Sequence, residues 1–295
     1  MSRKVIAFLG PEKTYSSQAA TTYDPDAKRL LCPSNIAVIE AVQTCKADEG
    51  VVAVENALEG PVIGPTDFFI HNGEGVFFRG EIIVPIHHFA FTKPEVKWRW
   101  ELIRIVFSHT QALGQCREFL GEYLSHAQQV ASLSTVQAIE DMLESSTPAV
   151  AIAPYGAIET YRGRAVVFGL SVQDNLNNAT RFVVIGREKR KPTGNDKTSL
   201  CFSFAVADRP ALLLRALAVF ARRKINLFRV ESRPERTGLG RYVFLLDIEG
   251  HQDEVSVQGA LRGLRRLRDT GENGESIPLI SMLKVFGSYP RWDGN

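Results

Sequence analysis

Residues 186–197 read GREKRKPTGNDK, a charged run with Pro192, Gly194 and an Asn-Asp pair and no apolar period, and the order of elements changes across it. Such a run reads as a linker, placed at 188–197. It means that the chain cannot fold as one repeating architecture. Before it, short β-branched runs at Lys4 to Leu9, Gly50 to Val54, Ile82 to Phe91, Leu102 to Phe107, Gln129 to Ser132, Ala149 to Ala153 and Arg181 to Ile185 alternate with helix-period segments, the α/β signature. After it the order is strand (Ser199 to Val206), helix (Ala211 to Arg223), strand (Asn226 to Glu231), strand (Tyr242 to Ile248), helix (Glu254 to Arg268) and strand (Leu279 to Val285). That βαββαβ order fits a ferredoxin-like sandwich. The polar, glycine-rich Gly271 to Ser276 is expected to be its most mobile loop.

With 44% hydrophobic and 23% charged residues, the 295-residue chain has the composition of a folded protein long enough for two domains. Its 35 basic and 33 acidic side chains nearly cancel, so no large field points to nucleic acid or an anionic membrane as partner. An anionic ligand must then be recognised locally. The apolar run Val5 to Leu9 stops at Gly10-Pro11, too short for a signal-peptide core, and no stretch approaches the roughly 20 apolar residues that span a bilayer, so a cytoplasmic protein is expected. Cys32, Cys45, Cys116 and Cys201 lack CxxC spacing and do not cluster with histidines, which argues against a disulfide framework or a metal site. The sequon Asn178-Ala179-Thr180 is read as accidental.

Polar residues collect at strand ends, where open α/β sheets bind ligands. IAFLGPEKTYSSQAA joins a strand to a helix, with Thr14 and Ser16 where free helix amides can take an anion or where a hydroxyl simply caps. VVAVENALEGPV carries Glu55, Asn56 and Glu59 at the end of an apolar strand. FSHTQALGQC carries Ser108 and His109, with Gln111 and Gln115 on one helix face; no second ligand stands at a motif spacing from His109, which favours a capping or hydrogen-bonding role. His87 and His88 sit in an alternating strand and face opposite sides, so they cannot share a metal. QDNLNNATRF is dense in amides, with Asn178, Thr180 and Arg181, whose guanidinium could grip a carboxylate in two places. No G-x-G-x-x-G, P-loop, HExxH or G-x-S-x-G occurs. What remains suits a small carboxylate ligand.

GPEKTYSSQAA, CPS at Cys32 to Ser34, VENALEGPV, FSHTQALGQC and ATRFVVIG resemble, in order and spacing, the motifs of the prephenate dehydratases, and DRPALLLRAL with ESRP at Glu231 to Pro234 resembles the ACT regulatory domain fused to them. The resemblance implies a type-II periplasmic-binding-protein-like catalytic domain at 1–187, with lobes at about 1–80 with 176–187 and at 81–175, and an ACT domain at 198–288. It implies conversion of prephenate to phenylpyruvate without a cofactor or metal, Thr180, Glu55 and Ser108 being catalytic. Substrate binding would fall to Thr14, Ser16, Asn56, Gln111, Gln115, Asn178, Arg181 and Phe182. The hydroxyl of Thr180 is too weak an acid to surrender its proton outright, so it would donate a hydrogen bond or relay, with Glu55 behind it. L-phenylalanine would be the allosteric effector, bound by Ala211, Leu212, Leu213, Glu231, Ser232, Arg233 and Pro234, in a homodimer or homotetramer joined through the ACT domain.

Four departures from the family pattern stand out. Lys13 and Ser17 replace glycine and histidine, Pro154 replaces a small residue, and Ala211-Leu212-Leu213 replaces Gly-Ala-Leu. The added methyl at Ala211 is expected to weaken regulation more than catalysis. Arogenate dehydratase, a non-aromatising prephenate decarboxylase and a non-catalytic amino-acid sensor are the alternatives.

Overall fold

The computed structural model describes residues 3–96, 99–169, 171–206, 209–270 and 275–294. In chain order the elements begin with β1 (Val5–Leu9), α1 (Tyr15–Tyr23), β2 (Lys28–Cys32), α2 (Asn35–Gln43), β3 (Glu49–Asn56), β4 (Gly60–Pro61), α3 (Ile63–Asn72) and β5 (Phe77–Pro85). There follow β6 (His88–Thr92), β7 (Ile105–Ser108), α4 (Thr110–Gly114), α5 (Arg117–Tyr123), β8 (Gln128–Ala131), α6 (Gln137–Glu144), β9 (Ala149–Pro154), β10 (Val166–Gly169) and β11 (Ala179–Gly186). The rest is β12 (Asp196–Phe204), α7 (Leu212–Ala221), β13 (Leu227–Pro234), β14 (Tyr242–Glu249), α8 (Val255–Arg265), β15 (Arg268–Thr270), β16 (Ser276–Pro278) and β17 (Ile280–Pro290).

Packing divides the chain into two compact units, one of Met1–Val38, Val51–Val62 and Ile82–Phe182, the other of Ile39–Gly50, Ile63–Glu81 and Val183–Asn295. Within the first unit β1 and β2 in full and parts of β3, β11 and β5 form a sheet in the order β2-β1-β3-β11-β5, with β1 and β2 parallel, and a second sheet in the order β10-β6-β9-β7-β8 lies wholly within it. Strand β9 shows why this second sheet is stable. Its sequence AVAIAP is buried throughout, as expected of a central strand covered on both faces. Val150 and Ile152 join Leu113, Cys116 and Leu120 on one side, while Ala149, Ala151 and Ala153 join Ala138, Ile139 and Met142 of α6 on the other. Each large apolar side chain buried this way contributes roughly 1.5 to 3 kcal/mol relative to exposure.

The second unit contains an antiparallel sheet in the order β13-β14-β12-β17. Leu200 and Phe202 of β12 alternate onto the face covered by α7 and α8, where they meet Ala216, Val219, Phe220, Val257 and Leu264. The βαββαβ expectation is met, with a short hairpin, β15 with β16, added before the last strand. Helix α3 belongs to this unit. Lys284 Nζ donates to the Phe69 carbonyl at 2.8 Å, and Phe78 packs 5.5 Å from Phe286, ring to ring. Gly287 is required there, because a Cβ on it would lie 2.2 Å from the Phe78 carbonyl oxygen.

Two strand expectations need correction. The run Ile82 to Phe91 forms two strands, β5 and β6, in different sheets; Pro85, which has no amide to donate, ends the first of them. Strands β2 and β10 escaped the pattern because β2 is a half-exposed KRLLC edge and β10 is only four residues long. Of the loop expected to be most mobile, Gly271–Gly274 lie outside the described residues. No helix among the described residues is long and apolar enough to cross a membrane.

Candidate active site and effector segments

Strand ends of both sheets in the first unit surround a cavity of about 530 Å³. Its wall holds Thr14, Tyr15 and Ser16 at the start of α1, Asn56 at the end of β3, His88, His109, Gln111 and Gln115 around α4, Leu133 to Thr135, Gln137, and Thr180 on β11. Thr14 caps α1, its Oγ1 accepting from the Ser17 amide at 3.4 Å. The first amides of the helix have no intrahelical acceptor, so the cavity meets the positive end of its dipole.

Asn56 is hydrogen-bonded through both ends of its carboxamide. Its Oδ1 accepts from the amides of Leu58 (3.0 Å) and Glu59 (3.1 Å), which fixes the orientation of the carboxamide. Its Nδ2 therefore donates, to Asn178 Oδ1 at 2.9 Å and to Thr180 Oγ1 at 3.0 Å. With a lone pair of Thr180 used in this way, the hydroxyl proton is free to point elsewhere.

Gln115 is fixed by similar logic. Its Nε2 donates to the Glu59 carboxylate at 2.7 Å, and a carboxylate can only accept, so Gln115 Oε1 must receive donors. It receives Asn178 Nδ2 at 3.0 Å and His88 Nε2 at 2.9 Å. His88 therefore carries its proton on Nε2. Burial pushes the pKa of His88 down, the Gln115 hydrogen bond opposes this, and His87 adds to the depression, which favours the neutral ring. Tyr15 donates to the His87 carbonyl at 2.6 Å; burial pushes its phenol well above the usual range, the His87 contact offsetting part of that and Cys116 adding slightly.

Of the expected catalytic and substrate-binding residues, Thr14, Ser16, Asn56, Gln111, Gln115 and Thr180 line the cavity, and Glu55, Ser108, Asn178, Arg181 and Phe182 do not. Strand alternation accounts for two of the corrections. Asn56 and Thr180 face the cavity, so their neighbours Glu55 and Arg181 face away, and these two pair with each other at 3.4 Å. Ser108 is fully buried and donates to the Ile152 carbonyl at 2.7 Å, and Phe182 lies in the core. Asn178 is buried behind the wall, where it bridges Asn56 and Gln115. His109 has the expected capping role, its Nδ1 accepting from the Gln111 amide at 3.3 Å.

In the second unit the expected effector residues fall into two groups. Ala211, Leu212 and Leu213 line a cavity of about 290 Å³ with Phe204, Tyr242 and Phe244. Glu231 to Pro234 do not line it. Arg233 is instead held by Asp67 of α3 through contacts of 3.1 to 3.2 Å, and Glu231 pairs with Arg229.

Comparison with known proteins finds two families along the chain. The sequence profile of prephenate dehydratase matches residues 6–190, and that of the ACT domain matches residues 202–266. The chain belongs to the prephenate dehydratase family. It is 38% identical over 288 residues to the bifunctional chorismate mutase/prephenate dehydratase of Aquifex aeolicus, covering 97% of this chain and 73% of that protein. It is 34% identical to the prephenate dehydratase of Amycolatopsis methanolica, covering all of this chain and 90% of the other. Among solved structures, the prephenate dehydratase of Arthrobacter aurescens in complex with L-Phe superposes with a TM-score of 0.84 at 31% identity, covering 99% of this chain and 91% of that one.

The family departures have local explanations. Lys13 takes a left-handed backbone (φ 66°), the conformation that glycine adopts freely, and its ammonium lies 3.5 Å from Glu159. Ala211 is left-handed as well (φ 64°), at the N-cap of α7. Pro154 closes the buried strand β9. Sequence reasoning passed over Tyr15, and it used His88 only to exclude a metal. Tyr15 stands within the GPEKTYSSQAA motif, which was its available signal, whereas His88 lies in none of the quoted motifs.

Proposed function

We propose that this chain is a cytoplasmic carbon–oxygen lyase that converts prephenate to phenylpyruvate, with its catalytic part at 1–187 and a regulatory ACT domain at 198–288. In this reaction the bond from the ring to its carboxylate breaks, its electron pair moves into the ring, and the bond to the ring hydroxyl breaks in turn. Carbon dioxide and an aromatic ring form. The departing oxygen leaves as hydroxide unless a proton reaches it, so the balanced reaction consumes one proton and releases water. Donation to that oxygen is where the barrier can be lowered, by roughly 10²- to 10⁴-fold for well-placed proton help.

In this reading Thr180 gives that oxygen a hydrogen bond, while water supplies the proton that the reaction consumes. The observation that carries this reading is the fixed carboxamide of Asn56, which donates to Thr180 Oγ1 at 3.0 Å and leaves the hydroxyl proton available to the substrate. The amides and hydroxyls at the start of α1 supply further donors for the carboxylates.

Regulation by L-phenylalanine is part of the proposal, with Ala211 to Leu213 of one subunit completed by Glu231 to Pro234 of another in a dimer or tetramer. The left-handed alanine keeps the backbone path that a glycine would take and adds a methyl, so binding persists with weak coupling, toward the low end of the usual 1 to 3 kcal/mol. Incubation with prephenate tests the activity: phenylpyruvate supports the reading, a non-aromatic keto acid indicates decarboxylation alone, and no product indicates a sensor. Parallel incubation with arogenate sets the substrate preference.

A further inference from the structure

A pocket for a dianion would ordinarily hold an arginine or lysine, yet among the described residues no such side chain lines the cavity. Arg181 is turned toward Glu55. Among the described residues three titratable side chains do line it: Tyr15, His88 and His109. The first two are already committed, Tyr15 to the His87 carbonyl and the Nε2 proton of His88 to Gln115. Gln111 is committed as well, donating to Glu59.

His109 differs from these. Its Nδ1 accepts from the Gln111 amide at 3.3 Å, which leaves the ring N–H on Nε2, and that nitrogen has no hydrogen-bond partner among the described residues. The same contact holds the ring in place from the backbone before any ligand arrives, which reduces the ordering cost of binding. We propose that His109 binds one of the substrate's two carboxylates through its Nε2–H. This rests on the reading of the cavity as a prephenate site. His109 is then a substrate-binding residue whose backbone contact serves to aim it, and it stands in for the absent arginine. A hydrogen bond to a charged acceptor of this kind corresponds to roughly 10- to 100-fold in affinity.

His109→Asn isolates the proposal, because asparagine supplies an acceptor for the Gln111 amide and caps helices well but has no donor at the Nε2 position. Prephenate affinity by calorimetry and steady-state kinetics are measured on both proteins. The expected result is a rise of roughly 10- to 100-fold in both Kd and KM, with kcat within about threefold and an unchanged melting temperature. A variant with the affinity of the wild type overturns the proposal. A wild-type protein that binds prephenate without releasing phenylpyruvate overturns the dehydratase reading alone, and the ratio of Kd values still decides the role of His109. A wild-type protein that neither binds nor converts prephenate overturns both. Should the variant fold poorly, the wild type labelled with ¹⁵N-histidine gives a second readout: the Nε2 resonance of His109 shifts on saturation with prephenate if the proposal holds, and an unmoved resonance contradicts it.

Discussion

Asn56 Nδ2 lies 3.0 Å from Thr180 Oγ1, and because Asn56 Oδ1 is occupied by two backbone amides, the carboxamide can only donate to the threonine. The direction of this hydrogen bond matters more than its strength. It assigns the threonine proton to whatever occupies the cavity.

Asn56→Asp is expected to reverse that direction. A carboxylate still accepts from the Leu58 and Glu59 amides, but its second oxygen takes the Thr180 proton instead of giving one. Turnover should fall at least about 10²-fold with the protein still folded. Steady-state kinetics beside a thermal melt check this, and near-normal turnover would show that the orientation of Thr180 is immaterial.

Arg181 is expected to act on structure rather than on substrate. Since its guanidinium meets Glu55 away from the cavity, Arg181→Lys should leave KM within about threefold of the wild-type value. A large rise in KM would mean that the side chain swings into the cavity when substrate binds.

How far the sequence could be read shows in these residues. The α/β alternation and the βαββαβ order were legible in the runs of the sequence, because periodicity and turn chemistry are local properties. The ordered motifs lie at strand ends, several of which meet at the cavity. They could not say which of two adjacent residues faces the cavity, because Glu55-Asn56 and Thr180-Arg181 are neighbours in sequence while a strand presents only alternate side chains to one face. Ser108 fell to a different cause, since its hydroxyl satisfies the Ile152 carbonyl from β9, a partner 44 residues away. Tyr15 and His88 acquire their roles only through a network that joins α1, β6 and α4 in space.

Burial of His88 predicts a pH effect on stability. Its folded pKa lies below the ordinary 6.5, so below that pH the unfolded chain takes up a proton that the folded chain refuses. The stability tied to the neutral ring is therefore present above about 6.5 and lost as pH falls through and below it. Melting temperature followed between about pH 7.5 and 5.5 should fall more steeply for the wild type than for His88→Gln. Parallel curves would contradict this.

Ala211→Gly is expected to stabilise the protein by about 0.5 to 1 kcal/mol, because relief of the left-handed alanine outweighs the added freedom of glycine in the unfolded chain. It should also deepen inhibition by phenylalanine. Denaturant unfolding and an inhibition titration on both proteins check the two parts, and a wild type already strongly inhibited at micromolar phenylalanine would overturn the second.

The most direct test is turnover of prephenate by the wild type, Thr180→Ser and Thr180→Ala, followed by the appearance of phenylpyruvate. The serine variant keeps a hydroxyl beside Asn56 and should retain most activity; the alanine variant should lose at least about 10²-fold in kcat with little change in KM. Equal turnover by the alanine variant and the wild type would contradict the assignment of Thr180 as donor to the departing oxygen.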